Sequence, residues 1–141
     1  METDLKEEAL SHLDKTQFVM LATDDNGQPR LRPVTLAYLD DKFWITTTTD
    51  SEKVKQLRTN PKAELCWLKQ QKGNKDIYLR IAGETRIIED PDTKKKVADE
   101  LDFFSYYFKS VDDPNYTLIE IVPQEIEYLK EGQYPATRFR L

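Results

Sequence analysis

The chain has 141 residues, 38% of them hydrophobic and 33% charged, which fits one domain, residues 1–141, with a modest core and leaves no room for a second. A net charge of -5 argues against a sequence-independent hold on nucleic acid, because such binding neutralises many phosphates with Lys and Arg. A single cysteine, Cys66, excludes an internal disulfide; the one histidine, His12, leaves little for a His-based metal or triad site; and no apolar run approaches the roughly 18 residues of a membrane span.

The opening METDLKEE is charged where a signal segment would be apolar, so the expected compartment is the cytoplasm. Leu5, Ala9 and Leu13 recur at helical spacing behind Asp4, Glu7 and Glu8, which complement a helix dipole and predict a short first helix. Phe18 to Thr23 reads as a strand, Asp25-Asn26-Gly27 as a turn, and Arg30 to Leu39 as the returning strand of a hairpin. After the turn at Asp40-Asp41-Lys42, Phe43 to Thr49 is dense in aromatic and β-branched residues and predicts a third strand. Asp50 or Ser51 then caps a short helix carrying Val54 and Leu57, stopped by Asn60-Pro61.

Ala63 to Leu68 predicts a fourth strand, Lys69 to Lys75 a polar loop, and Ile77 to Ile88 a long fifth strand with a bulge at Gly83. Asp90-Pro91 starts a helix whose apolar stripe runs through Val97, Leu101, Phe104 and Phe108 until Asp112-Asp113-Pro114-Asn115 breaks it. Tyr116 to Val122 is the sixth strand, resuming as Ile126 to Leu129 after Pro123. Six strands joined by tight turns, with few helices between them, favour a mainly β antiparallel barrel with peripheral helices over a parallel α/β sheet. Small barrels are filled by their own side chains, so a ligand belongs on the outside or at a subunit interface.

The chemistry concentrates in Phe43 to Lys53. Four consecutive threonines, a helix start at Ser51 and the Lys53 ammonium are what a phosphate needs, since free N–H groups and the dipole favour an anion there. A threonine run is also simply a good strand, and Glu52 opposes the local positive field. On the second strand, Arg30 and Arg32 fall on one side, suited to an anion or a carbonyl-rich ring edge, and Pro33 marks an edge or bulge where neighbouring backbone is available to a ligand. Trp44, Trp67 and the Tyr106-Tyr107-Phe108 run could face a ring, but core packing accounts for them as simply. Cys66 reads as a buried small hydrophobe and His12 as decoration of the first helix.

In order and spacing, Phe18 to Thr23 with Gly27, Arg32-Pro33-Val34, Phe43 to Thr49, Asp50-Ser51-x-Lys53-x-x-x-Leu57, Asn60-Pro61 and Tyr78-x-x-Ile81-x-Gly83-x-Thr85 resemble the pyridoxamine 5'-phosphate oxidase-like, FMN-binding split-barrel proteins, particularly their small general stress members. The resemblance implies a six-stranded split barrel that forms a homodimer with FMN at two interface sites. In it Arg32 would approach the flavin's polar edge or phosphate, Pro33 and Val34 would lie along the ring, and Thr47, Ser51 and Lys53, with Thr46 and Thr48, would hold the phosphate. Glu52 stands where the oxidase proper has a second basic residue, and the tail Tyr134 to Leu141 does not match that enzyme's substrate-binding end. The expected function is therefore that of a flavoprotein exchanging electrons with an unidentified small molecule or electron donor, against a non-catalytic cofactor module or a structural dimer. Relatives also bind haem and deazaflavin; no axial ligand for haem is evident.

Overall fold

The structure, a computed structural model, describes residues 2–141, with side chains from Asp4 onward; Met1 of the charged opening, and the side chains of Glu2 and Thr3, lie outside the described part. A first helix, α1 (Glu2–Leu10), leads into the hairpin β1 (Thr16–Asp25) and β2 (Gln28–Leu39). Asn26 and Gly27 turn the hairpin at φ 51° and 93°, left-handed conformations that these two residue types accept at least cost. Asp40 and Asp41, at φ 54° and 60°, then deliver β3 (Lys42–Thr48). There follow α2 (Glu52–Thr59), β4 (Lys62–Lys69), β5 (Ile77–Ile88), α3 (Pro91–Asp99), α4 (Phe104–Tyr107), β6 (Tyr116–Leu129) and β7 (Thr137–Arg140).

The sheet order is β3-β2-β1-β4-β5-β6-β7, every pairing is antiparallel, and β3 also pairs with β6. That last pairing closes the expected six-stranded barrel. Leu21, Leu36, Ile45, Leu65, Ile81 and Ile119 meet in its interior, each fully buried and each worth about 1.5–3 kcal/mol relative to exposure. A second cluster lies outside the barrel wall, where Val97, Leu101 and Phe108 cover Trp44, Tyr116 and Leu118.

Three features differ from the sequence reading. The long helix after Asp90 is two pieces, because the chain tightens through the bonds Leu101 N–H to Ala98 O and Phe104 N–H to Leu101 O; the apolar stripe survives in space although the helix does not. A seventh strand, β7, adds to the outer edge of β6 with only Phe139 turned into the core. Finally, β6 runs unbroken through Pro123, and the irregularity at Gly83 places its extra residue, Gln124, in β6: Ala82 faces Glu125 while Gly83 faces Pro123. Gly83 is required there, since a Cβ would overlap the Val122 carbonyl oxygen.

One seam of the barrel is open. β2 and β3 pair only from Leu36 opposite Ile45 to Leu39 opposite Lys42. Beyond that point residues 28–35 of β2 pair with β1 alone and residues 46–48 of β3 pair with β6 alone. Pro33, which has no N–H to donate, lies on such an edge without loss.

Candidate functional site

The two diverging edges bound a groove of about 530 Å³, within the usual small-molecule range of about 300–1,000 Å³. Pro33, Val34 and Thr35 form one bank, Ile45 to Thr48 the other, and Lys53 joins the lining beside Thr47. Phe18, 80% exposed, and Tyr107, 70% exposed, line it together with Phe103 and Phe108 from the second half of the broken helix. Among the described residues, no carboxylate, histidine or cysteine lines it.

Lys53 is half-buried and its Nζ donates to Thr47 Oγ1 at 2.7 Å. Burial, and then the charge of Arg32, pull its pKa below the ordinary lysine value. Arg32 is held by Leu21 O (3.2 Å), Thr23 Oγ1 (2.8 Å) and Gln56 Oε1 (2.9 Å). Its pKa is also lowered, chiefly by burial and then by Arg30. Every one of these partners is neutral. Among the described residues neither Arg32 nor Lys53 forms an ion pair, so two neighbouring cations sit partly desolvated without a counter-charge.

The helix start beside them is equally unsatisfied. Ser51 occupies the N-cap of α2 in extended conformation, yet its hydroxyl makes no cap hydrogen bond, and both Ser51 Oγ and Thr46 Oγ1 are buried without a hydrogen-bond partner among the described residues. Buried hydroxyls left unpaired cost about 1–3 kcal/mol each, which a phosphate accepting from them would recover. Glu52, the residue that opposed this reading in the sequence, points into solvent and pairs with Lys55 at 3.4 Å.

Of the sequence-predicted residues, Pro33, Val34, Thr46, Thr47, Thr48 and Lys53 share the groove. Ser51 adjoins it in the chain, and Arg32 sits behind, on the inward side of β2, within charge range of Lys53. Arg30 does not join them; it pairs with Asp25 at 3.0 Å. Trp44 is packed in the outer cluster, and Trp67 stacks on His12 with centroids 5.6 Å apart. His12 is thus an anchor, its Nε2 also 2.9 Å from Tyr128 Oη, and it lies outside the groove. Cys66 is only half-buried, though burial still pushes its thiol up from the ordinary value. Gln56, Thr23, Phe18, Thr35 and Phe103 were not legible as site residues: a glutamine within a short helix reads as solvated, and nothing in spacing aims it at Arg32.

Residues 5–130 match the family described as pyridoxamine 5'-phosphate oxidase. The chain belongs to that family. Within it, general stress protein 26 of Bacillus subtilis (strain 168) is 26% identical over 130 residues, covering 92% of this chain and 91% of that protein. The solved general stress protein 26 from Bacillus anthracis str. Sterne is similar at a TM-score of 0.77 and 25% identity, covering 97% of this chain and 98% of the other. A Nostoc punctiforme PCC 73102 protein described as pyridoxamine 5'-phosphate oxidase-related and FMN binding has the same fold at a TM-score of 0.70 and 23% identity, covering 96% and 86%. In this chain the barrel, with its open seam, is the frame on which the two cations, the hydroxyls and the groove are mounted.

Proposed function

We propose that this chain is an FMN-binding flavoprotein with oxidoreductase capacity toward a small molecule, assembled as a homodimer with a cofactor at each of two subunit interfaces. The observation that carries the reading is the pair Arg32 and Lys53, two partly desolvated cations with neutral partners, Lys53 lining a largely apolar groove and Arg32 behind it. Lys53, Thr46, Thr47, Thr48 and Ser51 would hold the phosphate end with Arg32 behind them, and Pro33 and Val34 would face the ring. Bound FMN would supply hydride acceptance and onward electron transfer, while the protein fixes orientation and electrostatics. The exposed apolar residues Phe18, Met20 and Leu31 on the adjoining outer face of β1 and β2 are what a second copy would cover.

A non-catalytic flavin module is the second reading, since the same groove and cations would hold a flavin without turnover. Titration with FMN, followed by flavin fluorescence, tests both. Arg32→Ala with Lys53→Ala should weaken binding by at least about a hundredfold, at about 1.5–3 kcal/mol per charge-assisted contact, and Lys69→Ala with Lys72→Ala should not. Equal losses remove the assignment, and a colourless protein that ignores FMN removes both readings. Reduction by NADH or NADPH and reoxidation by an added acceptor separates enzyme from module.

A further inference from the structure

Gln56 lies on the buried face of α2 with Val54 and Leu57 and is 8% exposed. Its Oε1 accepts twice, from Arg32 Nη2 at 2.9 Å and from Thr23 Oγ1 at 2.6 Å, so both lone pairs are used. Thr23, 5% exposed, accepts in turn from Arg32 Nη1 at 2.8 Å, closing a three-residue ring of hydrogen bonds. Among the described residues, Arg32 Nε–H and one Nη2–H are left without a protein acceptor.

A glutamate would fill the same volume, reach the same guanidinium and pair with it, and charge-assisted pairing is the stronger bond. Glutamine orients Arg32 with a dipole and leaves its charge whole. Thr47 does the same for Lys53. We propose that Gln56 is a positioning residue that fixes Arg32 without neutralising it, and so makes this site select flavins carrying a phosphate over those without one. The inference rests on the flavin reading above, and the test keeps the two separable.

Gln56→Glu and Gln56→Met are titrated with FMN and with riboflavin, and their unfolding midpoints are measured. In Gln56→Glu the preference for FMN over riboflavin should fall about tenfold or more, as expected when a charge-assisted contact is cancelled, and the salt dependence of FMN binding should flatten. Gln56→Met should also lower that preference, by less, with a lower unfolding midpoint because Thr23 loses its acceptor. A merely structural glutamine would weaken both flavins alike. An unchanged preference in folded Gln56→Glu overturns the assignment. If the wild-type protein binds neither flavin, the flavin reading fails, and inorganic pyrophosphate decides Gln56 by itself: it should raise the unfolding midpoint of wild type more than that of Gln56→Glu, and equal shifts overturn the assignment.

Discussion

Two arginines on strands of the same barrel live opposite lives. Arg80, on the outer face of β5, donates to Glu64 at 2.6 Å and to Glu127 at 2.9 Å, and Glu127 also accepts from Tyr78 (2.7 Å) and Arg138 (2.9 Å). The hydrogen bond to Glu64 leads in raising the Arg80 pKa. Arg32, on β2, has only neutral acceptors among the described residues, and burial lowers its pKa. The first arrangement is complete, with each cation met by a carboxylate across a strand, and it serves the sheet. The second has no carboxylate partner among the described residues. Their contrast teaches that arginine count or exposure says little about function, whereas the charge of the groups that hold each arginine says a good deal.

Four outcomes would sharpen or break this contrast. The largest concerns the backbone that aligns the ladder: Gly83→Ala should cost about 3 kcal/mol or more, seen as a lowered denaturant midpoint, because the Val122 carbonyl must move. Next, FMN affinity should decline by up to about 1.5–3 kcal/mol as pH rises through the Lys53 pKa, which lies below the ordinary lysine value, and Lys53→Arg should shift that decline to higher pH. A flat profile in wild type would place the bound charge elsewhere. Third, Arg80→Ala should lower folding stability by about 1–2 kcal/mol, while Arg32→Ala lowers it by less and mainly reduces FMN binding. Equal stability losses in urea melts would erase the distinction between the two arginines. The smallest effect is acid dependence. The Tyr78 hydroxyl leads in holding the Glu127 carboxyl below its usual value, so its contribution is present above the unfolded pKa of about 4.3 and lost as pH falls through the folded one. Glu127→Gln should therefore flatten the stability curve in that window.

Most of the barrel was readable because turn residues and strand alternation agree: Asn26-Gly27 and Asp40-Asp41 supply the positive φ values the hairpins need, and Leu21, Ile45, Leu65, Ile81 and Ile119 all fall on inward positions. β7 escaped because Thr-Arg-Phe-Arg offers one inward apolar residue, too little pattern for a period. The helix after Asp90 was read as one element because a tight turn and an α-helix return apolar residues to the same side. At the site, Lys53 and the threonines were visible as a local cluster. The lack of an ion pair to Lys53 among the described residues, and the neutral hold of Gln56 and Thr23 on Arg32, are products of tertiary placement that no spacing announces.

Gln124 shifts the phase of β6. Ahead of it the odd-numbered Ile119 and Ile121 face the core; after it the even-numbered Ile126 and Tyr128 do, and Glu125 and Glu127 face out toward Arg138. The extra residue therefore acts as a frameshift written into the strand, letting one continuous segment close the barrel at one end and carry the charged ladder at the other. Removing Gln124 alone would leave Pro123 opposite Gly83 and Glu125 opposite Ala82, with Ile126 and Tyr128 still facing inward, so the strand should keep its inward and outward sets when this one residue is lost and give up only the local bend of the bulge.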